Sequence, residues 1–151
     1  TKYATGQEGE PIPSFTTQTI NGKFYNTANS EDKKKMVVVF LSVRCPSCRV
    51  ETRRIASNMD RFKNYNFIFT SIEEEKELKA YAKHYKLEKF ENVVVGKDTG
   101  KVMPKHYRIV GVPFTAVFDE NKSLLRAYAG PIQIEQLLTH VDNKITAQKK
   151  P

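Results

Sequence analysis

The stretch that decides the fold of this chain is residues 36–48, with the sequence MVVVFLSVRCPSC. Its first seven residues are mostly apolar and include three consecutive β-branched valines, which predicts a short buried strand. The next stretch, residues 49–62, has apolar side chains at helical spacing and predicts a helix. The candidate inward-facing side chains of that helix are Val50, Ile55, Met59 and Phe62. The only two cysteines, Cys45 and Cys48, therefore lie where a strand passes into a helix.

This junction favours the ionised form of cysteine. Unpaired backbone N–H groups and the helix dipole stabilise negative charge at the first turn of a helix. Arg44 and Arg49 flank the cysteine pair and are expected to favour the thiolate as well. Because the thiolate is the form that attacks disulfides, we interpret Cys45 and Cys48 as a pair for thiol–disulfide exchange.

Two structural roles for the cysteine pair are less compatible with the sequence. A disulfide that closes a two-residue loop removes little entropy from the unfolded state, so it makes a poor staple. A structural zinc site needs four ligands at short spacing. The histidines, His84, His106 and His140, are spread over three segments and lack that spacing. We therefore predict neither a bound metal nor another cofactor.

Length and composition indicate one domain over residues 1–151, with 39% hydrophobic residues and a sizeable core. Residues 1–13 are polar, rich in glycine and proline, and are expected to form an extended leader. No apolar run is long enough to cross a membrane. The chain opens on Thr1 rather than Met, so we expect a trimmed or mature form.

The net charge of +8 does not predict binding to nucleic acid. The lysines are scattered, and no DNA- or RNA-binding motif accompanies them. A solvated basic surface explains the charge, and such a surface can steer acidic protein partners.

The rest of the sequence predicts alternating strands and helices. Asn21-Gly22 is a strong turn signal that joins two short strands into a hairpin. The predicted strands cover residues 15–20, 23–25, 36–42, 67–71, 90–95, 115–118 and 124–128, and the predicted helices cover 49–62, 74–85, 102–107 and 132–148. This order predicts an α/β sandwich around a mixed sheet.

The ordered set of features resembles the thioredoxin superfamily. The likeness is carried by the strand–CPSC–helix unit and by Gly111-Val112-Pro113 directly before the strand at 115–118. The N-terminal hairpin and the helix and strand inserted before Pro113 are similar to the TlpA-like branch of redoxins, extracytoplasmic oxidoreductases related to the cytochrome c maturation thioredoxins. The resemblance implies a thioredoxin-like mixed β-sheet sandwiched by helices, with an N-terminal β-hairpin and a central insertion. It also implies a periplasmic or membrane-anchored location, with the cytoplasm as the alternative.

The resemblance implies roles for particular residues. Cys45 matches the exposed nucleophile and Cys48 the resolving cysteine, and together they match the redox-active disulfide of the family. Pro113 matches the family's cis-proline, which faces the cysteines. The backbone of Val112 would then bind an extended substrate strand. The alternative for Pro113 is an ordinary proline at the start of a strand, but the cysteine pair favours the cis-proline.

Glu51 lies three residues after Cys48, where the TlpA-like branch commonly has a glutamate. A carboxylate buried behind the sulfurs would have a raised pKa and could carry the proton that Cys48 loses. The alternative is a solvated glutamate that pairs with Arg49 or Arg54. Classical thioredoxins bury an aspartate in the preceding strand, at the position of Val39, and its absence favours a role for Glu51.

These features predict a protein thiol–disulfide oxidoreductase, acting as a reductase on disulfide-containing proteins and supplied by an upstream electron donor. A peroxiredoxin-like peroxidase is a second hypothesis. The proline of that family falls on Val38, which weakens it, although Ser42 lies three residues before Cys45. A copper-handling protein with Cys45, Cys48 and His106 as soft ligands is a third hypothesis.

Overall fold

The computed structural model of the protein describes residues 2–27 and 32–138. Its strands are β1 (Lys2–Tyr3), β2 (Thr16–Thr19), β3 (Phe24–Asn26), β4 (Lys35–Phe40), β5 (Tyr65–Ser71), β6 (Val93–Asp98), β7 (Phe114–Phe118) and β8 (Leu124–Ala129). Its helices are α1 (Pro46–Ser57), α2 (Glu75–His84) and α3 (Val102–Tyr107), and residues 134–138 are also helical. Within the described residues, the strands form one mixed sheet in the order β1-β8-β7-β4-β5-β6-β2-β3.

The centre of the sheet is buried on both faces. β4, β5 and β6 are parallel, whereas β7 pairs with β4 in the antiparallel direction. Successive side chains of β4 point to opposite faces. Val37 and Val39 join a core cluster with residues of α1 and α2, while Met36 and Val38 join a second cluster with residues of α3. The continuous apolar run of β4 is therefore the sequence of a strand covered by helices on both sides.

The predicted α/β sandwich with a mixed sheet is observed. The Asn21-Gly22 turn joins β2 to β3, with Gly22 at a φ of 80°, as a tight hairpin turn requires. β7 and β8 form the second predicted hairpin, and α3 has the predicted bounds. The chain therefore has the predicted hairpins on both sides of the central parallel strands.

The helix after the cysteines differs from its predicted bounds of 49–62. It begins at Pro46, because proline suits the first helical position and Cys45 caps the helix with its side chain. It ends at Ser57, and a short 3-10 helix over Met59–Phe62 completes the predicted segment. Val50, which was predicted to face inward, is only half-buried. The buried positions in the first half of α1 are instead Cys48, Glu51 and Thr52.

Two further boundaries differ from the prediction. The strand predicted over 90–95 runs over Val93–Asp98, since residues 87–89 form a 3-10 helix that delays its start. The last helix, predicted over 132–148, is helical at 134–138 after an irregular stretch at 131–133. Residues 139–148 of that prediction lie outside the described residues.

The leader expected over residues 1–13 pairs with the sheet along its described part. β1 adds a short antiparallel strand to β8. Further along, the Gly9 amide donates to the Leu124 carbonyl and the Leu124 amide donates to the Glu10 carbonyl, each at 2.8 Å. The sequence analysis did not predict this pairing, because backbone hydrogen bonds form without apolar side chains and so leave no pattern in the sequence. In the described residues, no helix has the length and apolar character needed to cross a membrane.

Candidate active site

The strand-to-helix junction positions both cysteines at the start of α1. β4 ends at Phe40, and a short loop leads to Cys45, which is the N-cap residue of the helix. The Cys48 amide donates to Cys45 Sγ at 3.2 Å. This bond supplies an acceptor for one of the unpaired amides of the first turn and holds the Cys45 sulfur over the helix N-terminus.

The two cysteines are free thiols in different environments. Cys45 is half-buried and Cys48 is fully buried, with 0% of its surface exposed. Burial raises the pKa of the Cys48 thiol far above its ordinary value, and the nearby Cys45 and Glu51 act in the same direction. At neutral pH, Cys48 is therefore a protonated thiol, and only Cys45 is open to a partner.

Pro113 lies beside the cysteines, and the Val112–Pro113 peptide bond is cis, as predicted. Cys45 Sγ is 3.8 Å from the Val112 carbonyl oxygen, to which it can donate. Among the described residues, no group accepts a hydrogen bond from the Val112 amide. The structure thus brings Val112 and Pro113 next to Cys45, although Cys45 and Val112 are 67 residues apart in sequence.

Glu51 is buried beneath the pair, with 1% of its surface exposed. Its Oε2 accepts a hydrogen bond of 2.6 Å from the Thr115 hydroxyl, and its Oε1 accepts one of 3.3 Å from the Ile132 amide. Thr115 pairs with Val39 in the sheet. The carboxyl group of Glu51 therefore packs beside the strand pair that contains Val39 and Thr115. Glu51 is not the solvated glutamate of the alternative interpretation.

Burial raises the pKa of Glu51 to about 7, although the Thr115 and Ile132 hydrogen bonds and the charge of Arg54 favour the ionised form. Desolvation wins because two hydrogen bonds replace only part of the hydration of a carboxylate. A group with this pKa exchanges protons readily near neutral pH.

Sequence reasoning missed the role of Glu73. Glu73 is the first of three consecutive glutamates, whose charge suits the dipole of a following helix, but α2 begins at Glu75. The Glu73 carboxylate instead accepts hydrogen bonds from the Val43 amide at 2.8 Å, the Ser42 hydroxyl at 3.1 Å and the Ser71 hydroxyl at 2.9 Å. It therefore fixes the loop that leads to Cys45. The sequence of three consecutive glutamates does not indicate which of them would bind this loop.

We expect Glu73→Ala to lower the free energy of unfolding by about 1–3 kcal/mol, because the Val43 amide and two hydroxyls lose a charged acceptor. Urea denaturation at neutral pH measures this change. Glu74→Ala is the matched control, since the Glu74 side chain is 79% exposed and its one ion pair with a described residue is with Lys97. The control should stay within about 0.5 kcal/mol of the parent protein. Equal effects of the two substitutions would show that Glu73 does not hold the loop.

The flanking arginines contact groups other than the cysteines. Arg44 lies 4.0 Å from Glu73 and 3.5 Å from Glu77, with its side chain 76% exposed. Arg49 Nε donates to the Val43 carbonyl at 2.9 Å. Both side chains border the site, but their charge is shared with these groups. Their expected effect on the thiolate stays a prediction.

The three ligands of the copper hypothesis, Cys45, Cys48 and His106, do not lie together in the structure. Cys48 belongs to the core cluster on the side of α1 and α2, whereas α3, which carries His106, packs on the other face of the sheet. Within residues 2–27 and 32–138, no three side chains of histidine, cysteine, aspartate or glutamate are grouped to hold a metal ion. The sheet itself separates His106 from the cysteine pair.

The chain belongs to the AhpC/TSA family, whose profile matches residues 9–138. No curated protein sequence matches the chain closely enough to count as a relative. The family match confirms the predicted resemblance to thioredoxin-like redoxins. It supports a redox enzyme of the thioredoxin type.

Solved structures share the fold at low sequence identity. The thioredoxin domain of a thiol-disulfide oxidoreductase from Bacteroides vulgatus is 22% identical, with a TM-score of 0.70 over 90% of this chain and 96% of that one. A secreted Mycobacterium tuberculosis disulfide oxidoreductase is 17% identical, with a TM-score of 0.68 over 85% and 95%. A peroxiredoxin-like protein from Aquifex aeolicus is 15% identical, with a TM-score of 0.74 over 90% and 86%. The predicted thioredoxin-like fold is confirmed.

Proposed function

We propose that the protein is a thiol–disulfide oxidoreductase that reduces disulfides of partner proteins with the Cys45–Cys48 pair. The observation that carries this proposal is the asymmetry of the two thiols. Cys45 is accessible, caps a helix and lies beside Val112 and cis-Pro113, whereas Cys48 is buried with a raised pKa. One thiol can attack a partner, and the other is kept protonated until an internal attack is required.

In the first step, the Cys45 thiolate attacks one sulfur of the partner disulfide. A bond forms between Cys45 Sγ and that sulfur, the partner's S–S bond breaks, and the other partner sulfur leaves as a thiolate. The Cys48 amide, which already donates to Cys45 Sγ, stabilises the negative charge before the attack.

In the second step, Cys48 loses its proton and attacks Cys45 Sγ. The Cys45–Cys48 disulfide forms, and the second partner sulfur leaves, so two electrons pass from the dithiol to the partner. Glu51 is the base for this proton, since it is buried one helical turn from Cys48 and its pKa of about 7 lets it accept a proton near neutral pH. An upstream electron donor must then reduce the disulfide for another cycle.

Val112 supports the binding of an extended partner segment. Its amide has no acceptor among the described residues, and its carbonyl faces Cys45. A strand of the partner can pair with this backbone, as in β-strand addition, and so align its disulfide with Cys45. The extracytoplasmic location remains part of the proposal and is supported by the secreted oxidoreductase with the same fold.

The proposal is tested by mixing the reduced protein with one equivalent of a peptide disulfide in the absence of other reductants. We expect one peptide disulfide to be reduced for each protein, with loss of both protein thiols and formation of the Cys45–Cys48 disulfide by peptide mapping. Alkylation of the reduced protein should modify Cys45 before Cys48. Lys105→Ala, at an exposed position of α3 on the other face of the sheet, is the control that should react like the parent protein.

The same preparation distinguishes the peroxidase hypothesis, which the family and the Aquifex aeolicus neighbour keep open. The proposed reductase should react faster with the peptide disulfide than with an equal concentration of hydrogen peroxide. Faster reaction with peroxide would favour the peroxidase, and full activity of Cys45→Ser would remove Cys45 from the proposed mechanism.

A further inference from the structure

A groove begins beside the active-site loop and runs between α1 and α2. Its first part has a volume of about 450 Å³ and is lined by Val43 and Arg44 before Cys45, by Arg49 of α1, and by residues of α2. The residues nearest the site are thus one and two positions from the attacking cysteine. A partner bound through Cys45 would have its neighbouring residues at the mouth of this groove.

The groove continues away from Cys45 as a second depression of about 380 Å³. His84 and Tyr85, at the end of α2, line both parts and join them. The second part is bordered by Arg53 of α1 and by Lys86 and Lys89 after α2. The two adjacent depressions share His84 and Tyr85, and we call them together the α1–α2 groove.

The charges along this groove are mostly positive, and four of its five fixed cations have no carboxylate partner in the described part of the chain. Among the lining residues, Glu77 carries a carboxylate, which forms an ion pair of 3.5 Å with Arg44. Within the described part of the chain, no carboxylate lies within ion-pair distance of the groove's other fixed cations, which are Arg49, Arg53, Lys86 and Lys89. Like charges along a concave surface focus a positive potential there.

We propose that the α1–α2 groove binds an acidic segment of the partner protein, adjacent in sequence to the cysteine that Cys45 attacks. This inference rests on the proposed disulfide exchange and adds a preference among its substrates. Carboxylates of the partner would supply the counterions that the groove lacks, while the aromatic side chain of Tyr85 would contact the intervening residues. Because the cations lie at the surface, they should raise the rate of association more than the final affinity.

The experiment uses three peptides that each carry one cysteine as a mixed disulfide with mercaptoethanol. The peptides differ only in the residues on either side of the cysteine, which are glutamates, glutamines or lysines. At low ionic strength, we expect the reduced protein to react with the acidic peptide at least about fivefold faster than with the neutral one, and most slowly with the basic one. The preference should largely disappear at 0.5 M salt.

Two variants that each remove three positive charges test whether the groove is responsible. The groove variant combines Arg53→Gln, Lys86→Asn and Lys89→Gln. The control variant combines Lys63→Gln, Lys101→Asn and Lys105→Gln, which lie outside the groove and are exposed. Asparagine is used at Lys86 and Lys101 because both have a left-handed backbone, with φ of 56° and 52°. The groove variant should react with acidic and neutral peptides within about twofold, and the control should keep the parent's preference.

The outcomes separate this inference from the proposed function. Equal rates for the three peptides, or equal losses in the two variants, would overturn the groove as a binding surface while leaving disulfide exchange intact. If none of the peptides is reduced, or if Cys45→Ser reduces them as well as the parent does, the proposed function fails and this inference fails with it.

Discussion

Cys48→Ser is expected to abolish turnover and to leave the protein joined to its partners through Cys45. The half-buried Cys45 keeps its position and can still attack, but no second thiol is present to break the mixed disulfide. The serine hydroxyl occupies the same buried position and does not attack sulfur. Adducts should form in a mixture with oxidised partner proteins, appear on non-reducing gels and dissociate when reductant is added.

Two further variants identify the attacking atom and the backbone that receives the partner. Cys45→Ser should form few adducts, because Cys48 is fully buried and protonated. Pro113→Ala added to Cys48→Ser should reduce the yield of adducts, while alkylation of Cys45 by a small reagent should change little. Adducts that form equally well through Cys48 would reverse the two roles, and adducts absent from both single variants would contradict thiol exchange with proteins.

Glu51→Gln is expected to change how the stability of the protein depends on pH. Its pKa is raised from 4.5 to about 7 in the folded state, so the folded protein holds this proton more tightly than the unfolded chain does. Stability from this group is fully present below pH 4.5, falls as pH rises to about 7, and is constant above that value. The fall corresponds to about 3 kcal/mol, and glutamine does not undergo it.

Urea denaturation of the parent and Glu51→Gln at pH 4.5 and pH 8 measures this difference. The variant should gain about 3 kcal/mol relative to the parent between the two pH values. Glu88→Gln, at an exposed position, is the control for replacing a glutamate at the surface. Parallel curves for Glu51→Gln and the parent would show that the Glu51 carboxyl titrates in the folded protein as it does in the unfolded chain.

The same substitution tests the proton transfer separately from stability. In a single turnover quenched with acid, Glu51→Gln should slow the resolution of the mixed disulfide by about a hundredfold at neutral pH. The first attack by Cys45 should keep its rate. We expect the resolution rate of the parent to have an inflection near pH 7, and the variant should lose it. A resolution rate that keeps this inflection would assign the proton to another group.

The sequence by itself determined the features that depend on neighbouring residues. The apolar run of β4 and the spacing of Cys45 and Cys48 were enough to place the cysteine pair at a helix start. The Asn21-Gly22 turn was enough to place the first hairpin, and Gly111-Val112-Pro113 suggested the cis bond through the family resemblance. These features are local, since strand periodicity, turn geometry and helix capping involve residues a few positions apart.

The tertiary structure alone decided the environment of each site residue. Glu51 is buried because Thr115 and Ile132, which are 64 and 81 residues away in sequence, supply its hydrogen bonds. Glu73 fixes the loop before Cys45 from 30 residues away, whereas the adjacent Glu74 is exposed. The leader pairs with β8 through backbone groups. Burial and pKa depend on which distant segments exclude water from a group, and no local pattern in the sequence specifies those segments.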